Sequence, residues 1–424
     1  MIFLPTERHL REFTGDIFNY KDLSKKLLDD VLLKMELPNS FGLYGNWGSG
    51  KSTMIHYILK HIINDPTAYS AVKVVYFEPW KYEYSDQKDL LFALLTCIKK
   101  VSKARLKWKT LLTNALVIAS GVSRNLIGYN ALKPIEYIEK DFKFFENKIY
   151  SDQELWIDKV EKFRKDFDSI IKKVLQKEHA SKLIIFIDDL DRCLPENSVK
   201  LLEGIKNFLS IDNTLFVLAI DKRIIGEMIE KKYDLHDGYG DEYLTKIIQY
   251  YYDLPKSDIE PLIKEILLSY NIEFDNKELK YISFFLKNFG SEPRIAKHYL
   301  HQFCMSLTLS MRAKELLKNN NEKVYLQFLF VASYLLTRYP KLFSPGDNKS
   351  ILNYIRRCVS VKNDHNQEDM YSRMVAQDNS INDQDRKKLE EIMQYPINTG
   401  RESSPPTIMD FEKLSIALQC IKSI

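Results

Sequence analysis

Apolar positions along this chain change their spacing several times, and each change marks an element. Leu23, Leu27, Val31 and Leu32 recur at helical spacing between charged residues, so residues 1–39 read as a helical lead-in that Pro38-Asn39 breaks. Ser40–Tyr44 is a short apolar run that predicts a strand. After a glycine-rich turn, Met54, Ile55, Ile58, Leu59, Ile62 and Ile63 share one helical face, which stops near Asn64-Asp65-Pro66. Ala71–Phe77, with β-branched Val72, Val74 and Val75, predicts a second strand, and Asp86–Lys103 a helix. Leu183–Ile187 and Leu215–Ile220 are unbroken apolar runs, as parallel strands buried on both faces require, and they end in Asp188 and Asp221. Val199–Leu209 between them is helical, and Gln249–Leu254 predicts a fifth strand closed by Pro255.

Strands alternating with helices predict an α/β fold, a parallel sheet with helices on both sides. Two stretches depart from that rhythm. A long insertion runs from about residue 103 to 181, and in its second half Val160, Phe163, Phe167, Ile170, Ile171 and Val174 form a stripe opposite charged residues, the mark of a packed helix. From Lys256 to Arg357 the pattern is almost wholly helical. The expected organisation is a parallel-sheet domain over 1–255 with its helical insertion, a helical lid domain over 256–360, and a small C-terminal region over 361–424 of unassigned role. That region is polar, breaks at Ser403-Ser404-Pro405-Pro406 and closes with a helix over Ile408–Ile424. Two or three domains suit 424 residues.

Composition narrows the class. The 45% hydrophobic and 28% charged fractions are those of a soluble globular protein. A formal charge of +4 is small for this length and argues against a strong whole-chain attraction to nucleic acid. The five cysteines, Cys97, Cys193, Cys304, Cys358 and Cys420, show no CxxC spacing, which disfavours a zinc cage and fits reduced thiols. Met1–Leu10 has no apolar stretch of signal type, so a cytoplasmic location is expected. Leu111–Leu132 is the most apolar long stretch outside the strands, yet Asn114, Gly121, Arg124, Asn125, Gly128 and Asn130 interrupt it. A central arginine costs at least ~2.5 kcal/mol on membrane insertion. The segment therefore reads as a buried or partner-facing helical hairpin rather than a membrane span.

The chemistry lies in the glycine-rich turn. Gly45-Asn46-Trp47-Gly48-Ser49-Gly50-Lys51-Ser52 matches G-x-x-x-x-G-K-[ST] between a strand and a helix, and Thr53 continues the helix start. Glycines let successive backbone N–H groups turn inward toward phosphate oxygens, and the helix that follows offers unpaired N–H groups and a partial positive charge. In such a loop Lys51 reaches the β and γ phosphates and the Ser52 hydroxyl ligates magnesium, so a nucleoside triphosphate with Mg2+ is the implied ligand, ATP the first choice. The partner is an acidic strand end, supplied by Ile187-Asp188-Asp189-Leu190-Asp191. Asp188 is the candidate for magnesium, and Asp189 for orienting or deprotonating water. Asp191 fits either that site or the cap of the next turn. Asp221 can sense the γ-phosphate or simply close a strand-terminal turn. Arg192 suits either a phosphate of a neighbouring subunit or a local carboxylate, because its fork matches both. In Ser291-Glu292-Pro293-Arg294, proline opens a helix and Arg294 lies in its first turn, as either a lid residue or a surface one. Trp80, in Phe77-Glu78-Pro79-Trp80, can wedge under the phosphate loop, but a large aromatic is more often core than contact, so it is expected to be structural.

Taken together, these segments resemble the KAP family of P-loop NTPases. The resemblance rests on Gly45–Ser52, Phe77–Trp80, Ile187–Cys193, Phe216–Asp221, Glu242–Gln249 and Glu292–Arg294, in family order over roughly residues 10–305. It implies a signalling-type ATPase related to NACHT and AAA-type proteins, with Arg294 as a lid arginine near the γ-phosphate. Family members often carry a membrane hairpin between the two phosphate motifs, where Leu111–Leu132 resembles a degenerate version. Several bacterial members are linked to phage exclusion, so a defence role is an expectation here. Glu78 departs from the family pattern, which often has Asn there. The expected function is a magnesium-dependent ATPase that switches conformation, joined to itself in an oligomer or to a partner protein. The alternatives are a nucleotide-gated scaffold with negligible turnover, a phosphotransferase acting on a small molecule, and a nucleic-acid motor, which the low charge disfavours.

Overall fold

The computed structural model describes residues 16–83, 89–101, 153–206, 211–236, 238–256, 258–272, 276–289, 292–309, 330 and 333–334. The chain forms two compact units, residues 1–255 and 256–424. In the first, β1 (Asn39–Tyr44), β2 (Val72–Phe77), β3 (Lys182–Asp188), β4 (Thr214–Ile220) and β5 (Tyr250–Asp253) make one parallel sheet in the order β2-β3-β4-β1-β5. The predicted α/β class holds.

The apolar runs form inner strands because both faces are covered. Every residue of β4 is buried. With a side-chain period of two, alternate residues face opposite layers. Val75, Phe77, Ile185, Ile187, Phe216 and Leu218 face one layer, packed by α3 (Leu90–Val101), α4 (Gln153–Lys177), α5 (Pro195–Gly204), α6 (Lys222–Tyr233) and α7 (Tyr239–Ile247). Val74, Tyr76, Ile184, Phe186, Leu215 and Val217 face the other, packed by α1 (Tyr20–Lys26) and α2 (Lys51–Asn64). The stripe predicted in the insertion is the buried face of α4, with Phe163, Phe167 and Ile171 at 0% exposure. The lead-in departs from expectation: α1 passes into a π-helical turn at Leu27–Leu32, and Val31 is exposed. A π turn admits an extra residue and rotates the apolar face, which removes Val31 from it.

Register sets the functional edge. Asp188 pairs with Ala219, and Tyr44 with Ile220, so β1, β3 and β4 end together. β4 separates the other two, leaving their ends about 10 Å apart at ordinary strand spacing. The start of β1 is tied to the segment before β5: Ser40 N–H donates to Gln249 Oε1 at 3.0 Å, and its hydroxyl to the Ile247 carbonyl at 2.6 Å.

α6 and α7 cross backbone against backbone. A Cβ on Gly240 would lie 2.1 Å from the Gly226 carbonyl oxygen. Gly240→Ala is expected to destabilise the protein by about 2 kcal/mol, since overpacking exceeds the gain in helix propensity. The melting temperature falls by about 2–4 °C per kcal/mol in a domain of this size. A thermal melt equal to or above that of the wild type would contradict this close approach.

In the second unit α9 (Asn276–Phe289) and α10 (Pro293–Leu309) each pack on α8 (Glu260–Ser269). Ile263, Ile282, Phe285, Ala296, Leu300 and Phe303 are buried there. Among the described residues no helix is long and apolar enough to cross a membrane. Leu111–Leu132 and the C-terminal region 361–424 lie outside the described residues.

Candidate functional site

The motif between β1 and α2 is held in shape by a residue its own sequence does not announce. Gly48 and Gly50 take φ of 90° and 103°. A Cβ on Gly50 would lie 2.5 Å from the Tyr20 hydroxyl, so backbone conformation and space both demand glycine. That hydroxyl donates to the Ser49 carbonyl at 2.7 Å in a buried bond, and α1 thereby buttresses the loop. Ser49 N–H closes a turn onto the Asn46 carbonyl at 3.1 Å.

Lys51 opens α2 and is 7% exposed. Its Nζ donates to the carbonyls of Gly45 (2.8 Å) and Asn46 (3.2 Å) and stands 3.8 Å from Asp191 Oδ2. Asp191 Oδ2 also accepts the Asp221 N–H at 3.0 Å. Asp191 is therefore part of the site, linking the ends of β3 and β4 to Lys51. Trp47 and Thr53 are exposed, and Ser52 is half-buried.

Asp188 is almost fully buried at the tip of β3. Tyr76 Oη donates to its Oδ2 at 3.0 Å, Asp189 N–H to its Oδ1 at 3.0 Å, and the Ser52 hydroxyl also bonds it. Burial, with the charge of Asp189 adding to it, pushes the Asp188 pKa up to about 6 against the opposing hydrogen bonds. The folded state therefore holds this proton more tightly than the unfolded chain does. The penalty for ionised Asp188 is absent below the ordinary 3.8, grows from there to about 6, and is full above that. It amounts to at most on the order of 3 kcal/mol at ~1.4 kcal/mol per pH unit. Asp188→Asn is expected to raise the melting temperature of nucleotide-free, metal-free protein by several degrees at pH 8, the gain vanishing toward pH 4. A variant that melts lower than wild type at pH 8 would show that ionised Asp188 carries no such penalty.

Asp189 takes the left-handed conformation (φ 58°), and its Oδ1 pairs with Arg192 Nη2 at 2.8 Å. Arg192 Cζ lies 5.3 Å from the Trp80 ring centroid and 6.0 Å from that of Trp47. Trp80 is 40% exposed in the 3-10 turn Pro79–Lys81 that follows β2, so it is not the core residue expected of it. Asp221 caps α6: its Oδ1 accepts Arg223 N–H at 3.1 Å, and its Oδ2 lies 3.3 Å from Arg223 Nη2. Arg294 stands exposed in the first turn of α10, in the second unit.

The donor set suits a triphosphate with magnesium. Ser49 Oγ, inside the loop, is buried without a partner, an orphan that a phosphate oxygen would satisfy. Among the described residues no three His, Cys, Asp or Glu side chains cluster as metal ligands. A magnesium site of the nucleotide type needs none, since one carboxylate, a hydroxyl, phosphate oxygens and water complete it. Ser52 beside Asp188 fits that description.

A parallel sheet with this loop and an acidic strand end at one edge defines a P-loop nucleotide-binding protein. The chain belongs to the KAP family: the family model described as the KAP family P-loop domain matches residues 20–286, more than half of the chain. The phage T7 exclusion protein of Escherichia coli (strain K12) is 25% identical over 268 residues, 59% of this chain and 34% of that protein. An uncharacterised protein of Methanocaldococcus jannaschii is 33% identical over 99 residues, 23% of this chain and 47% of that protein. The chain thus spans about a third of the first relative's length and about half of the second's. Among solved structures, the ORC2 protein of Aeropyrum pernix aligns at 12% identity with a TM-score of 0.35, covering 99% of this chain and 88% of that one. A Walker-type ATPase of Pyrococcus abyssi aligns at 11% with a TM-score of 0.34, covering 97% and 99%. Such scores carry no detail, and the fold assignment rests on strand order and register.

Proposed function

We propose that this chain is a magnesium-dependent ATPase working as a conformational switch. The observation that carries the reading is the convergence of Lys51, Ser52, Asp188, Asp189 and Asp191 at one end of the sheet, beside an orphaned loop hydroxyl. Lys51 would turn from the loop carbonyls to the β and γ phosphates, and the loop N–H groups would cradle them. Ser52 and Asp188 would hold magnesium, which when bound neutralises charge on the phosphates. Asp189 would orient the attacking water, and Asp221 would steady the neighbouring strand end. The helical unit, with Arg294 in the first turn of α10, would serve as the lid that responds to the γ-phosphate.

Similarity to a phage exclusion protein supports a role in phage defence. A cytoplasmic location and assembly with itself or with a partner protein belong to the same proposal. The test is phosphate release from ATP, with and without chelator, alongside light-scattering mass with and without ATP. Release that needs magnesium and no added acceptor is expected, and it would disfavour a phosphotransferase. Binding without release would leave a nucleotide-gated scaffold.

A further inference from the structure

Arg192 is tied in a way that neither phosphate binding nor metal binding requires. It follows β3, Trp80 follows β2, and Trp47 lies inside the phosphate loop after β1. Three separate crossovers therefore deliver one guanidinium to two tryptophan rings, at 5.3 and 6.0 Å from their centroids. A planar, weakly hydrated guanidinium is the cation best suited to aromatic faces. Its Nη2 pairs with Asp189 at 2.8 Å, while its Nε is buried without a partner. The rings and the carboxylate, rather than a full hydrogen-bond set, thus hold the group in place.

The loop side of this contact would exchange hydrogen bonds when nucleotide binds. Lys51 Nζ bonds the Gly45 and Asn46 carbonyls, and a lysine that turns to phosphate gives those bonds up. Asn46 immediately precedes Trp47, so the tryptophan is attached to the part of the loop whose hydrogen bonds to Lys51 would be exchanged.

We propose that Arg192 is a positioning residue for Asp189, and that Trp47 couples it to the state of the phosphate loop. The proposal rests on the hydrolytic reading above, with Asp189 as the water-orienting carboxylate. Arg192 acts in cis, through the ion pair, with its plane set by Trp80 and Trp47. It does not reach the phosphates of another copy.

The test uses the full chain. Arg192→Ala is expected to lower kcat at least tenfold while KM for ATP and the calorimetric affinity for a non-hydrolysable ATP analogue stay within threefold. Arg192→Lys recovers part of the loss by restoring the charge without the planar group. Trp80→Leu, a change outside both the phosphate loop and the acidic run Asp188–Asp191, lowers kcat three- to tenfold with the same unchanged affinity. It also keeps the test alive should Arg192→Ala fold poorly. The change in tryptophan emission on adding the analogue falls below half of the wild-type change in Arg192→Ala. A rise in kcat would mean that the pair restrains Asp189 and would overturn the proposal. So would unchanged kcat and emission, or recovery of turnover when Arg192→Ala is mixed with Lys51→Ala protein, since that recovery means an arginine supplied in trans. If wild-type protein releases no phosphate, the hydrolytic reading itself fails. The emission change still reports whether Arg192 couples to the loop.

Discussion

Lys51→Ala is expected to lower ATP-dependent phosphate release by at least ~100-fold, the effect of losing a donor aimed at developing charge. Binding should weaken as well, by roughly 10- to 100-fold for a lost charge-assisted contact. The size of the effect follows from burial. Lys51 is 7% exposed, and its ammonium would meet phosphate in a site nearly closed to water, where screening is weak. No neighbour can substitute, because the carbonyls of Gly45 and Asn46 accept rather than donate, and Asp191 is anionic. With Lys51 gone, Asp191 faces incoming phosphate uncompensated. Phosphate release and a calorimetric titration with Mg-ATP check both parts, and a thermal melt shows whether the variant is folded. A folded variant with wild-type release and affinity would remove Gly45–Ser52 as the nucleotide site.

Asp189→Asn should separate binding from turnover. A general base or water-orienting group is worth about 10²–10⁴ in rate, so release should fall at least ~100-fold. Affinity for Mg-ATP should hold within a fewfold. The substitution is mild structurally. Asparagine tolerates the left-handed conformation that Asp189 adopts, and its carbonyl oxygen can still accept from Arg192. Turnover unchanged in this variant would move the water-orienting role elsewhere, with Asp191 the nearest alternative. Unchanged assembly in a variant that no longer turns over would favour the nucleotide-gated scaffold.

Those two residues were legible at different depths. Lys51 belongs to a motif whose geometry is local, since eight consecutive residues contain the glycines, the lysine and the hydroxyl that the chemistry needs. Asp189 was readable as one of three aspartates, and nothing in the run says which carboxylate faces which group. Asp191 could as well have been a turn cap, and only the 3.8 Å approach to Lys51 brings it into the site. Trp80 read as core because large aromatics usually are, and the turn at Pro79–Lys81 reversed that.

By itself, the sequence determined the phosphate loop, the apolar strands with their terminal aspartates, and the apolar face of α4. Each follows from periodicity or from contacts spanning a few residues, and short-range geometry is written into residue order. Tertiary structure alone decided that β4 lies between β1 and β3, that Tyr20 supports Ser49, that Tyr76 holds Asp188, and that Arg192 meets two tryptophans. These contacts join residues far apart in the chain, through side chains equally at home in an ordinary core or on an ordinary surface. Which partner each one meets depends on strand order and register, and a pattern of apolar and polar positions does not encode either.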